Sequence, residues 1–287
     1  MAEIGPVWGL DIQKHRDIVL AAYLPLLQAG PTLGVEVVRN LAYGPHPRQV
    51  LDVYRPASAA RAPVVIFAHG GAFVRGDRDL NAEVYGNVLR YFARNGYIGV
   101  NMEYRLAPEA AFPAGAEDVG AAIEWAAQNI AAYGGDPGRL YLVGHSAGGT
   151  HVASWVFDAR VRAGRAPGVV AQALISARLR ADARPENPNA QAVRAYFGAD
   201  EELYDERSPV ACGAASAVPT LIAVAEFENP LLDTYGAELF YRMSAAGRAP
   251  RFVQMAGHNH ISIVAHFNTA EDMLGAAILD FFACARA

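Results

Sequence analysis

The sequence predicts an α/β fold: a mostly parallel sheet of about eight strands with helices on both faces. Three observations predict it. From residue 63 onward, short apolar runs alternate with helix-length patterns, the signature of strand–helix–strand units. The composition, 53% hydrophobic and 18% charged, fits a large core built around a buried parallel sheet. Two of the apolar runs end in glycine-rich turns, His69-Gly70-Gly71 and Gly144-His145-Ser146-Ala147-Gly148. Such turns mark the carboxyl edge of a sheet, where α/β proteins build their sites.

The elements follow in order. Residues 35–41 and 50–54 flank the breaker Gly44-Pro45-His46-Pro47 and read as a hairpin. Strand 63–68 leads to a helix near 79–94, and strand 97–102 to one near 116–132. Strand 139–143 leads to a helix over about 147–162, and strand 169–175 opens the next unit. Strand 219–225 precedes a helix near 233–246, and strand 251–255 precedes a final helix over about 262–284. Two segments break the alternation. Residues 1–34 read as helical, with Trp8, Ile12, Val19, Leu20, Tyr23, Leu24 and Leu27 apolar; residues 176–217 show little periodicity. A long irregular stretch in a compact domain usually serves a site.

Length and charge bound the class. At 287 residues the chain suits one α/β domain spanning 1–287. Its net charge is −5 with no basic cluster, which argues against nucleic acid or an anionic membrane as partner. Cys212 and Cys284 sit in no spaced motif and read as unpaired thiols. No signal peptide is evident at Met1-Ala2-Glu3-Ile4-Gly5-Pro6, and no apolar run reaches membrane-spanning length. A cytoplasmic protein is the expectation, and a homodimer is compatible with the sequence.

The chemistry concentrates at the two glycine-rich turns. Ser146 lies between glycines where the run Leu140-Tyr141-Leu142-Val143 meets a helical pattern, a strand–turn–helix junction that exposes a nucleophile. The loop His69-Gly70-Gly71-Ala72-Phe73 follows the run Val64-Val65-Ile66-Phe67-Ala68. Glycines there let backbone N–H groups approach a developing oxyanion closely. The N–H groups of Gly71, Ala72 and Ala147 are the candidate donors, and Phe73 the candidate wall of a substrate pocket.

Several further motifs stand in order: residues 49–56 (QVLDVYRP), 104–109 (YRLAPE), Phe112-Pro113-Ala114, Asp118, and Tyr133-Gly134-Gly135-Asp136-Pro137. With the two turns, they resemble the hormone-sensitive-lipase-like esterases of the α/β-hydrolase fold, with similarity to aryl (kynurenine) formamidase-like members. The resemblance is dense over 48–155 and resumes over 218–265. It implies a serine hydrolase that cleaves small carboxylic esters through an acyl-enzyme. Arylformamides or related amides are the alternative substrates. An acyltransferase would use the same groups, and a non-catalytic ligand-binding member is the reading from another class. No cofactor or metal is implied, and no partner beyond the small substrate.

Such an elbow takes its triad in the order Ser, then Asp or Glu, then His. Downstream of Ser146 stand His151, His258, His260 and His266. His151 lies in the elbow's own helix and faces away, and His266 should lie a turn or more into the last helix. His258 and His260 follow the final strand, and the bulky Ile261 matches the family's residue after its base, which favours His260. A metal held by His258 and His260 finds no third ligand in a recognised spacing. For the acid, one alignment selects Glu228 and another leaves Asn229 at the position with Asp233 nearby. Glu228-Asn229-Pro230 matches the Asp-Ser-Pro of formamidase-like relatives with glutamate substituted, so Glu228 leads and Asp233 remains the alternative. Glu226 is expected to point away. In the family, segments placed as 1–34 and 176–217 are here form a cap, which is the expectation for both. A roof so small predicts a closed, largely apolar pocket. His69, Tyr104, Arg105 and Asp118 are expected to hold loops rather than to react.

Overall fold

The computed structural model describes residues 3–285, so Met1 and Ala2 of the 1–34 segment and the last two residues lie outside it. Eight strands form one sheet in the order β1-β2-β4-β3-β5-β6-β7-β8. They are β1 (Val35–Ala42), β2 (Val50–Pro56), β3 (Ala62–Ala68), β4 (Ile98–Met102), β5 (Gly135–His145), β6 (Ala171–Ile175), β7 (Thr220–Phe227) and β8 (Arg251–Asn259). β2 runs antiparallel to β1 and β4, and all other neighbours are parallel. The hairpin turn is closed by Tyr43 N–H on the Gln49 carbonyl at 2.9 Å.

The helices are α1 (Ile12–Gln28), α2 (Gly86–Arg94), α3 (Ala114–Asn129), α4 (Ala147–Phe157), α5 (Ala190–Phe197), the single turns α6 (Tyr204–Arg207) and α7 (Pro209–Cys212), α8 (Leu232–Ala245), the single turn α9 (Ser262–Ala265) and α10 (Met273–Cys284). Side chains alternate along a strand, so one sheet builds two cores. Val65 and Phe67 of β3, with Tyr141 and Val143 of β5, pack against α1, α2 and α10 through Val19, Phe92 and Phe282. Val64, Ile66, Leu140 and Leu142 pack on the other face against α3, α4 and α8 through Val119, Val152 and Leu239. A third cluster joins Phe73 to Tyr196, Phe197 and Tyr204 of the 176–217 segment.

The differences from the sequence expectation have local causes. The helix placed over 79–94 begins only at Gly86 because the Asn81 side chain takes the N–H of Val84 at 3.2 Å, making a turn instead. The helix expected to run to 162 stops at Phe157, where Asp158 is extended and its carboxylate takes the Arg160 N–H at 2.9 Å. The last helix is two pieces. Asn268 adopts φ 62° between them, and His266 closes the single turn of α9 rather than lying inside a long helix. Segment 176–217 gains its order from arginines: Arg180 reaches Glu238 at 3.0 Å and Asp205 at 2.7 Å, and Arg184 reaches Asp182 at 3.0 Å. The two contacts of Arg180 span 58 and 25 residues of sequence and leave no periodicity to read.

Candidate active site

Ser146 stands where β5 meets α4, with its backbone at φ 55° and ψ −121°. Side chains rarely occupy that region, and it persists only where the surroundings enforce it. Here they do. A Cβ on Gly148 would sit 2.2 Å from the Ala68 carbonyl oxygen, and one on Gly144 would sit 2.6 Å from Gly149 Cα. Without a side chain at 148 the elbow packs against β3, and without one at 144 the start of α4 folds back onto β5.

The ends of β7 and β8 bring two more groups to the serine. His260 Nε2 lies 3.0 Å from Ser146 Oγ, and His260 Nδ1 lies 2.5 Å from Glu228 Oε1. An ionised carboxylate can only accept, so Nδ1 carries the proton and Nε2 is free to take one from the hydroxyl. Backbone donors hold the carboxylate: Asn229 N–H reaches Oε1 at 2.9 Å and Ala225 N–H reaches Oε2 at 3.3 Å. Burial pushes the Glu228 carboxyl up, but the facing His260, with help from Ser176 and the Asn229 N–H, outweighs it, and the group titrates below the usual carboxylate range.

The other candidates lie elsewhere. Asp233 is exposed in the first turn of α8, where its carboxylate takes the Thr234 N–H at 2.8 Å. His258 is held by Glu271 at 2.7 Å and Ser262 at 3.1 Å. His151 lies buried with Nδ1 3.1 Å from the Tyr196 hydroxyl, and burial lowers it to about 3. Glu226 is exposed and takes the Gly257 N–H at 2.6 Å. Phe73 requires a correction. It is 2% exposed and stacks on Tyr196 at 4.7 Å, so it packs behind the glycine-rich loop instead of walling the pocket. Its backbone, at φ 71°, turns the ring inward to the third cluster.

A cavity of about 320 Å³ opens over Ser146 and His260. Gly70, Gly71 and Ala72 form one side. Trp8, Ile12, Gln13 and Arg16 enter from the first segment, and Pro188 and Asn189 from the 176–217 segment. Polar side chains of Gln13, Arg16, Arg75 and Asn189 stand among the apolar lining residues. A larger cavity, about 600 Å³, lies on the Glu228 side and is not lined by Ser146.

Three supports are not apparent in the sequence. First, Tyr85 and His145 tie the Gly70 loop to the backbone of His260. The Tyr85 hydroxyl accepts the Gly70 N–H at 3.1 Å and lies 3.2 Å from His145 Nδ1, while His145 Nε2 reaches the His260 carbonyl at 2.9 Å. Burial, with His260 beside it, holds His145 well below the usual imidazole range. The ring is neutral, donating from Nε2 and accepting at Nδ1. Second, Glu103 takes His69 Nε2 at 2.7 Å and the Arg78 N–H at 3.1 Å. Third, the buried Trp8 indole donates to Asn229 Oδ1 at 2.9 Å, next to Glu228. As the resemblance implied, Asp118 holds loops: it takes Gln49 Nε2 at 2.7 Å and the Arg105 N–H at 2.8 Å. A polar residue beside a motif was the one available signal for Glu103; the other partners are too far apart in sequence.

Comparison with known proteins agrees with this architecture. The family model BD-FAE matches residues 51–157. Esterase LipI of Mycobacterium tuberculosis is 35% identical over 204 residues, covering 66% of this chain and 62% of LipI. A probable isoprenylcysteine alpha-carbonyl methylesterase of Arabidopsis thaliana, ICMEL2, is 33% identical over 164 residues, covering 54% of this chain and 37% of that protein. The chain thus spans less than two thirds of the length of these curated relatives. Among solved structures, a Pyrobaculum calidifontis esterase matches with TM-score 0.72 and 26% identity over 96% of this chain and 93% of its own. Esterase B of Lactobacillus rhamnosis reaches TM-score 0.77 at 21% identity over 99% and 96%, a likeness of fold alone. No helix among the described residues is long and apolar enough to cross a membrane. By sheet order and by likeness to solved esterases, the chain has the α/β-hydrolase fold, and its motifs resemble those of the hormone-sensitive-lipase-like esterases.

Proposed function

We propose that the chain is a carboxylesterase-type serine hydrolase acting on small soluble esters. The observation that carries this reading is the unbroken line from Ser146 Oγ through His260 to Glu228. Ser146 attacks the ester carbonyl while His260 Nε2 takes its proton. The resulting imidazolium is stabilised by Glu228, whose own titration lies below the carboxylate range and keeps it ionised. Backbone N–H groups of Gly71, Ala72 and Ala147 hold the oxyanion. The loop is shaped for close approach, since a Cβ on Gly71 would lie 1.8 Å from the Arg75 carbonyl oxygen. His260 returns the proton to the departing alcohol, and water repeats the attack on the acyl-enzyme with the same groups.

Segments 1–34 and 176–217 act as the cap in this reading, supported by Trp8, Ile12, Pro188 and Asn189 at the cavity. A space of about 320 Å³ suits acyl chains of about two to six carbons, because a methylene that clashes costs as much as one that fits contributes. The test is a panel of short- and long-chain esters, arylformamides and anilides with wild type and Ser146→Ala, alongside a fluorophosphonate probe. Short esters should turn over best, Ser146→Ala should lose most of kcat, and the probe should label Ser146. Labelling elsewhere, or wild-type rates in the variant, would sink the assignment; fast turnover of long-chain triglycerides would sink the cap.

A further inference from the structure

We propose that the cavity over Ser146 selects esters that carry a carboxylate, through the guanidinium groups of Arg16 and Arg75. The catalytic part of this inference rests on the esterase reading. Both arginines line the same cavity as Ser146 and His260, and no Asp or Glu lines it among the described residues. In a chain of net charge −5, a cavity with two cations and no carboxylate is a local inversion of sign. A concave site of one sign concentrates ligands of the other.

The two groups stand on independent supports. Arg16 projects from α1, with its side chain 31% exposed, and it pairs with Asp17, which is 62% exposed and outside the cavity lining. Such an exposed pair holds its partner weakly. Arg16 also acts inside the site: burial pushes the Tyr85 phenol up to about 12, against the Gly70 N–H and the Arg16 charge, and Tyr85 itself touches Gly70 and His145. Arg75 follows the oxyanion loop, held by its N–H on the Gly71 carbonyl at 3.1 Å. Its side chain bonds Asn189 Oδ1 at 3.1 Å and makes no ion pair among the described residues, so guanidinium N–H groups remain for a ligand. Asn189, brought by the 176–217 segment, steers that guanidinium across the cavity mouth. A carboxylate can take two parallel N–H bonds from one guanidinium, which suits a small monoanionic ester better than a bulky one.

The experiment compares matched pairs in which a carboxylate replaces a methyl group. Monomethyl glutarate against methyl pentanoate places the charge on the acyl side; 4-acetoxybutyrate against butyl acetate places it on the alcohol side. For wild type, kcat/KM should favour the anion in at least one pair by about tenfold, the size of one charge-assisted hydrogen bond, and the advantage should shrink with added salt. The double variant Arg16→Gln/Arg75→Gln should lose that ratio, and Arg75→Glu should invert it. A neutral preference in both pairs, or an advantage that survives the double variant, overturns the proposal. Calorimetric binding of the same anions to Ser146→Ala supplies a readout independent of turnover. Binding that weakens about tenfold when the arginines are replaced supports the anion site even if no ester is hydrolysed, an outcome that would overturn only the esterase reading. Hydrolysis of the neutral esters with no charge-dependent binding overturns only the anion site.

Discussion

Glu228 holds a negative charge where its side chain is 2% exposed, and it is stable there because three donors converge on it. Removing the charge while keeping the shape separates its role from that of Asp233. Glu228→Gln should lower kcat by roughly three to four orders of magnitude, as the equivalent Asp-to-Asn change does in a serine-protease triad. Asp233→Asn should stay within about twofold, as exposed surface changes do. If steady-state kinetics show the reverse order of damage, Asp233 is the acid. Tyr85 is a positioning residue by the same reasoning. Tyr85→Phe strands the Gly70 N–H and His145 Nδ1 in a buried place, which costs about 1–3 kcal/mol. Because it loosens the oxyanion loop, kcat should fall more than KM rises; a change in melting temperature with kcat intact would reduce Tyr85 to a structural role.

The elbow between β5 and α4 works because of what it lacks. Gly148→Ala puts a methyl group against two backbone carbonyls, at 2.2 Å from Ala68 and 2.3 Å from His69, and neither can move without displacing β3. The variant should lose folded yield or nearly all activity; soluble protein with wild-type kcat would show that the loop yields. The first segment also reaches the core. Trp8 is 1% exposed, belongs to the core beneath α1 and donates to Asn229 across 221 residues of sequence. Trp8→Phe leaves the Asn229 side chain without its donor and should destabilise by about 1–3 kcal/mol in urea melts, with KM raised because Trp8 lines the cavity. An unchanged KM would detach the segment from substrate binding.

Across the whole molecule, buried imidazoles couple stability to pH. Burial lowers His151 to about 3 and His266 to about 4, and His145 is held well below its usual range. Below about pH 6.5 the unfolded chain protonates these rings while the folded chain does not. The unfolded state then binds more protons, so stability falls as pH falls, until the folded rings themselves titrate near 3 to 4. Each ring contributes on the order of 1.4 kcal/mol per pH unit within that window. The lowered carboxyls Glu103 and Glu228 add the same sign below about pH 4.5. Urea midpoints should therefore drop steadily from pH 7 to pH 5, and His151→Gln should make the slope shallower. A slope identical in the variant would mean that His151 takes no part.

The sequence by itself determined the local features. Apolar runs set the inner strands, because a strand covered on both faces must be apolar, and glycines set the two tight turns, because no side chain fits there. Ser146 and the loop at Gly71 and Ala72 are legible for that reason, as is the pair of histidines after β8. Tertiary structure alone decided which of them faces which partner. It brought Glu228, and not Asp233, to within 2.5 Å of His260, turned Phe73 away from the cavity, and joined Trp8 to Asn229. It also placed Arg16 and Arg75 over one serine from segments almost sixty residues apart. Spacing along a chain encodes strand and turn geometry, whereas the identity of a distant neighbour depends on sheet order and loop path, which no local pattern carries.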